Sequence, residues 1–285
     1  MMECKFYNKL ENNVVECILC PHYCKIRDGS RGICRARYNK GGVLYTENDN
    51  LSSLSLDPIE KKPLAKYFPT TKILSAGASG CNLHCSFCQN WQISQCENRN
   101  DIKMKPRELL EKALELVSSE NIGLAYTYSE PIVMFEYVIE AASLIRKNNL
   151  KNVFVSNGYI NEEPLLELLE YIDAFNIDVK AFSSEAYLKH FKAEFAIIKR
   201  NLEIIIKNKK HLEISCLIVP GINDDIEEAE EFFKWLSDLD QEIPVHVNRY
   251  YPNYKAKMPA TDISSLDEIV KIATAYMKNV YVGNI

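Results

Sequence analysis

Residues Gly80 to Gln92 read Gly-Cys-Asn-Leu-His-Cys-Ser-Phe-Cys-Gln-Asn-Trp-Gln. Cys81, Cys85 and Cys88 are spaced C-x3-C-x2-C, after a short apolar run, Lys72 to Ala76, and a Gly-Ala-Ser-Gly loop. Three thiolates in one short loop hold three irons of a [4Fe–4S] cube and leave the fourth iron open to another ligand. A tetrahedral zinc site usually takes four ligands; His84 is the available fourth, but its neighbours do not resemble a zinc knuckle. A disulfide fits poorly, because no signal-peptide pattern is present and the chain reads as cytoplasmic.

Working outward, the 285 residues are 47% hydrophobic and 26% charged, enough for one large core with an appendage. No stretch approaches about eighteen consecutive apolar residues, so no membrane span is expected. The net charge of −5 leaves no electrostatic footprint for nucleic acid. Seven of the ten cysteines fall in two clusters, which favours metal binding in a reducing compartment over a disulfide framework.

The second cluster lies in residues 1–40, a cysteine-rich segment with Cys17, Cys20, Cys24 and Cys34 at C-x2-C-x3-C-x9-C. Four thiolates close one tetrahedral site, zinc or iron–sulfur, and a metal would supply folding energy to a segment short of core formers. His22 is a substitute ligand, and Cys4 reads as a bystander near a frayed end. Residues 41–71 read as a connector, strand-like at Val43–Thr46, whose later prolines argue against a long helix. Its basic residues, Lys61 and Lys62 among them, are expected in a solvated loop, the alternative being that they face a substrate.

From residue 72 to 285 short apolar runs alternate with amphipathic segments. The predicted strands are Lys72–Ala76, Gly123–Thr127, Asn152–Ser156, Phe175–Val179, Leu212–Val219 and Val245–Arg249. The predicted helices are Pro106–Ser119, Pro131–Asn148, Glu163–Tyr171, Ser184–Asn208, Asp224–Leu239 and Ser264–Lys278. Proline marks two helix starts, and Asn223-Asp224 offers an N-cap. A repeat of roughly 30 residues predicts βαβ units with right-handed crossovers. Six units are too few for a closed eight-stranded barrel. The fold class is therefore α/β, with ligands expected at the carboxyl ends of the strands.

Polar residues gather at those ends: Tyr128-Ser129-Glu130-Pro131, Ser156-Asn157-Gly158, Asp178-Val179-Lys180 and Val219-Pro220-Gly221, with His246 and Arg249 on the last strand. With the C-x3-C-x2-C loop and Phe87 before its third cysteine, this pattern resembles the radical S-adenosylmethionine (SAM) superfamily. The resemblance implies an open (β/α)6 partial barrel and a [4Fe–4S] cluster on Cys81, Cys85 and Cys88, whose free iron chelates SAM. It implies that Phe87, Ser129, Glu130, Ser156, Asn157, Asp178, Lys180 and His246 surround the cofactors. Within the superfamily the chain resembles the branch of pyruvate formate-lyase activating enzyme. There the amino-terminal Cys-x-Leu-Cys-Pro-His, Asp57-Pro-Ile-Glu-Lys-Lys-Pro-Leu and Thr-Tyr-Ser-Glu-Pro segments are similar to the radical SAM member of the AmmeMemoRadiSam system.

Three departures stand out against that family pattern. Tyr128 and Ser129 replace a Gly-Gly pair, and Val155 stands where glycyl-radical activases tend to carry Asp. Many relatives also continue past Tyr281-Val-Gly-Asn into a cysteine-rich tail, whereas this chain ends at Ile285. The resemblance implies an enzyme that cleaves SAM to a 5′-deoxyadenosyl radical and abstracts hydrogen from a substrate, expected to be a protein or peptide. AMMECR-type and Memo-type partners and an electron donor follow from it. A glycyl-radical activase, a small-molecule-modifying enzyme and a non-catalytic zinc scaffold stay open. Cys216 reads as a buried strand residue, Cys96 as a shield for the cluster or a bystander, Trp91 as a neighbour of the cluster and Trp235 as helix core beside Phe232.

Overall fold

The apolar runs pair into one sheet whose strands follow each other in chain order. The computed structural model describes residues 2–46, 50–95 and 102–285; Cys96 lies outside them. The sheet comprises β1 (Ser53–Pro58), β2 (Lys72–Gly77), β3 (Asn121–Thr127), β4 (Lys151–Ser156), β5 (Ala174–Asp178), β6 (His211–Ile218), β7 (Val245–Arg249) and β8 (Val280–Gly283). β1 runs antiparallel to β2, and every pair from β2 to β8 is parallel. The predicted partial barrel is present, its six expected strands flanked by two that the sequence reading did not predict. Parallel strands with helices over them read as nearly unbroken apolar runs, which is why the central six were legible.

The two extra strands sit at the edges. β1 carries Pro58, tolerable there because an edge strand leaves one row of backbone groups unpaired. The sheet therefore begins at Ser53, inside the stretch read as connector.

Helix Ile226–Leu239 shows how the outer layer packs. It buries Ala229, Phe232, Phe233 and Leu236, an i, i+3, i+4, i+7 stripe, and Trp235 lies 5.9 Å from the Phe232 ring. Its N-cap is Asp225, whose carboxylate accepts from Glu228 N at 2.9 Å, one residue beyond the expected cap. Asn223 and Asp224 instead accept from Val219 N and Gly221 N and shape the preceding turn. The long helix expected over Ser184–Asn208 is two, Ser184–Phe191 and Phe195–Lys207. Lys192 breaks it, with left-handed backbone at φ +54°.

The amino-terminal segment forms two small antiparallel sheets, Met2–Glu3 with Arg37–Lys40 and Val43–Thr46, and Tyr7–Lys9 with Val15–Cys17 and Lys25–Ile26. It shares one hydrophobic core with the barrel. Phe6 meets Phe135 edge-on at 5.1 Å, and Glu136 on the same helix accepts from Lys5 N at 2.8 Å and pairs with Arg37 at 2.6 Å. Cys4 is thus not on a frayed end. It is buried, and its amide donates to Leu44 O at 2.8 Å. Cys216 is fully buried in β6, as its apolar surroundings predict. Among the described residues no helix is long and apolar enough to cross a membrane.

β3 packs close against β4 at Gly123, where an added Cβ would stand 1.9 Å from Lys151 O. Gly123→Ala is therefore expected to cost about 1–3 kcal/mol through forced backbone displacement, read as a lower urea midpoint. An unchanged midpoint would contradict this close approach.

Candidate functional site

The carboxyl ends of β3, β4 and β5 and the thiol loop enclose a cavity of about 270 Å³. Cys81, Cys85, Cys88, Phe87, Ser129, Glu130, Ser156, Asn157, Asp178 and Lys180 all line it. His246 does not.

The thiol loop leaves β2 through Gly80, whose φ of +101° suits glycine. A Cβ there would lie 2.4 Å from Cys34 O, so glycine also permits the close contact with the amino-terminal segment. Leu83 N donates to Cys81 Sγ at 3.3 Å, and Ser94 Oγ lies 3.1 Å from Cys88 Sγ. Burial pushes the Cys85 thiol up to about 11, against the pull of the Lys180 charge, and raises Cys81 well above the ordinary thiol range. Metal binding here must displace protons. His84 points away and its Nε2 meets Ile33 O at 3.1 Å, leaving three sulfurs on the cavity. Among the described residues no three Cys, His, Asp or Glu side chains converge on a common point as they stand.

Glu130 is the best-held group of the wall. Its Oε1 accepts from Ser156 Oγ at 2.7 Å and Ile132 N at 3.2 Å, and its Oε2 from Asn157 N at 2.8 Å. Burial raises its pKa to about 7, although all three donors favour the carboxylate. Asn157 continues inward: its amide donates to Asn82 Oδ1 at 2.8 Å and reaches Cys81 Sγ at 3.8 Å. Lys180 Nζ pairs with Asp178 at 2.6 Å. Burial opposes the Lys180 charge, but Asp178 and the Cys85 sulfur hold it above the usual lysine range. Its backbone is anchored by Tyr187 Oη at 3.0 Å and by Asn223 Nδ2 donating to its carbonyl at 3.1 Å.

Another part of this wall comes from residues for which sequence reasoning favoured solvent over a substrate-facing place. Lys62, expected in a solvated loop, is 2% exposed and its Nζ bonds Asp57 at 2.8 Å. Tyr128 Oη donates to the same Asp57 oxygen at 2.5 Å, and the Lys62 ammonium lies 4.5 Å from the Tyr128 ring centre. The signal available was the Ser-Leu-Ser-Leu alternation before Asp57, which is that of a strand. Trp91 stacks on Tyr254 with ring centres 5.1 Å apart.

His246 belongs to a different network, a correction to the sequence reading. Its Nε2 lies 2.7 Å from Glu213 Oε2, and its ring stacks on Tyr281 at 5.2 Å. Glu213 is fully buried in β6 and also meets His211 Nε2 at 2.9 Å and the amides of Ala65 and Lys66, each at 2.8 Å. A mid-strand glutamate seals the barrel below the cavity, and the histidine serves it.

Burial opposes the charge of Glu213, yet the two histidines and two amides hold its pKa down to about 2, against 4.5 for the free side chain. The unfolded chain then binds the extra proton between those values, so stability falls as pH drops from 4.5 toward 2. Glu213→Gln is expected to cost about 1–3 kcal/mol at neutral pH. Denaturant unfolding should show the gap between wild type and variant closing on acidification; a gap independent of pH would contradict the ionised assignment.

Comparison with known proteins places this geometry. A sequence model of the Radical SAM superfamily matches residues 77–236. The whole chain is 38% identical to the uncharacterized protein MJ0808 of Methanocaldococcus jannaschii, covering 86% of that protein. Over 56% of its length it is 22% identical to the pyruvate formate-lyase-activating enzyme of Staphylococcus epidermidis, covering 67% of it. Streptococcus suis SuiB bound to S-adenosylmethionine shares the fold over 75% of this chain and 52% of that one, at 14% identity and a TM-score of 0.56. SuiB bound to its precursor peptide SuiA gives 0.54, over 72% of this chain and 46% of that one, at 14% identity. The family match runs across the thiol loop and the strand ends that line the cavity, and the chain belongs to the Radical SAM superfamily, whose cofactors are a [4Fe–4S] cluster and S-adenosylmethionine.

Proposed function

We propose that this protein reductively cleaves SAM and uses the resulting 5′-deoxyadenosyl radical to take a hydrogen atom from a protein or peptide. One observation carries the reading: three thiols, a buried carboxylate and a lysine–aspartate pair face a single cavity. When bound, the cluster supplies an electron and an open coordination position, and SAM supplies the radical.

The protein's own residues position and shield. Cys81, Cys85 and Cys88 hold the cluster. Glu130, oriented by Ser156 and Asn157, offers a fixed carboxyl edge whose ionised form would be favoured by the amino group of SAM, and Ser129 lies beside it. Lys180 carries the charge suited to the SAM carboxylate, a charge-assisted hydrogen bond. Phe87 packs edge-on against Phe191 at 6.0 Å and Tyr250 at 6.2 Å, so the loop's interior is apolar and water is kept from the cluster.

A macromolecular substrate is supported by kinship with an activating enzyme and by the shared fold with a peptide-bound protein. Partners of the AMMECR and Memo types, and an electron donor, remain part of this proposal.

Cys85→Ala is expected to reduce 5′-deoxyadenosine formation to background in anaerobic, dithionite-driven assays with SAM. Turnover retained by that variant would sink the proposal.

A further inference from the structure

Across the Gly80–Leu83 loop from the cavity lies a second, enclosed space of about 20 Å³. Cys17, Cys20, Cys24 and Cys34 line it, with Arg37, Asn82 and an apolar remainder that includes Ile132 and Val133. His22 is not on this wall: its Nε2 meets Asn82 O at 2.8 Å. The four cysteines share this one wall, and Cys20 feels the charge of the other three; as with the catalytic thiols, the side chains do not converge on one point as they stand.

Size bears on the occupant. A space of about 10–15 Å³ on this scale accepts one water-sized body. One ion fits such a space without displacing its wall. Arg37 gives a second, independent sign. It is 1% exposed and lines the space, and only its Nη2 is paired, to Glu136 at 2.6 Å. Its Nε and Nη1 are buried without a partner. Such donors cost about 1–3 kcal/mol each unless an acceptor is supplied. Four thiolates around a divalent ion leave excess negative charge on sulfur, the acceptor these N–H groups lack.

We infer that Cys17, Cys20, Cys24 and Cys34 hold one tetrahedral zinc ion, with Arg37 Nε and Nη1 donating to the zinc-bound sulfurs. A closed four-thiolate shell has no open position, so the ion is structural. It braces the catalytic loop. Asn82 lines the zinc space, donates to Tyr159 O and accepts from Asn157, both at 2.8 Å, while Cys81, next in the chain, faces the cavity.

Metal analysis of the Cys81→Ala/Cys85→Ala/Cys88→Ala variant, purified anaerobically, tests this apart from the proposed activity. One zinc per chain and no iron is expected; four irons, a single iron or no metal would overturn the inference. Should that variant fail to fold, zinc-edge X-ray absorption on the wild-type holoprotein reads the same site. Four sulfurs at about 2.3 Å are expected there, and no zinc or a nitrogen- and oxygen-dominated shell would overturn it. Arg37→Gln should weaken zinc affinity about 10–100-fold in competition with a chromogenic chelator; unchanged affinity would overturn the role of Arg37.

Discussion

Glu130 is the constraint around which the cavity is organised. A carboxylate this deeply buried is unfavourable unless its oxygens are satisfied, and here a hydroxyl and two backbone amides do so. Those donors come from both sides: Ile132 from its own turn, Ser156 and Asn157 from the end of β4. One side chain therefore locks two strand ends in register. Through Asn157 and Asn82 the same chain of hydrogen bonds reaches the loop of Cys81. The thiol loop takes its position from the sheet, and a cluster placed on it would inherit that position.

The same economy explains why the barrel is polar at two levels and apolar between its helices and strands. Along β6, Glu213, Ser215 and Leu217 share one face, as alternate residues must. Glu213 closes the floor with His211, His246 and the backbone of Ala65 and Lys66. Ser215 donates to Asn176 at 3.0 Å, which donates to Pro63 O at 2.7 Å, and Leu217 reaches the cavity. The segment after β1 thus packs against the end of the barrel away from the cavity.

Much of this was legible in the sequence, for a definite reason. Central parallel strands are buried on both faces and announce themselves as apolar runs, and strand-end motifs must fall at the carboxyl edge once the strands are set. The thiol loop, Glu130, Ser156, Asn157, Asp178 and Lys180 followed from that logic. What escaped depends on contacts between distant segments. The role of His246 is decided by Glu213, 33 residues away. Lys62 is buried because β1 joins the sheet, and β1 is an edge strand whose alternation is short and ends in proline. The break at Lys192 is a backbone choice inside a run that is helical in pattern on both sides. Arg37 carries no mark in the sequence that sets it apart from other charges; its burial follows from the fold that encloses it.

Tyr128 shows how such distant contacts compensate a local cost. Its φ of +68° is one that non-glycine residues adopt at a cost of about 1–2 kcal/mol, at the position where the resembling motif carries glycine. The side chain that creates this strain also offsets it. Its hydroxyl bonds Asp57, its ring lies beneath the Lys62 ammonium, and Asn90 donates to its carbonyl. Because Asp57 and Lys62 belong to β1 and the turn after it, the turn before Glu130 is held by the sheet's edge as well as by its own backbone. Where glycine leaves such a turn free to adjust, the tyrosine ties it to the connector. The tyrosine thereby ties the turn that leads into Ser129 and Glu130 to the cavity wall.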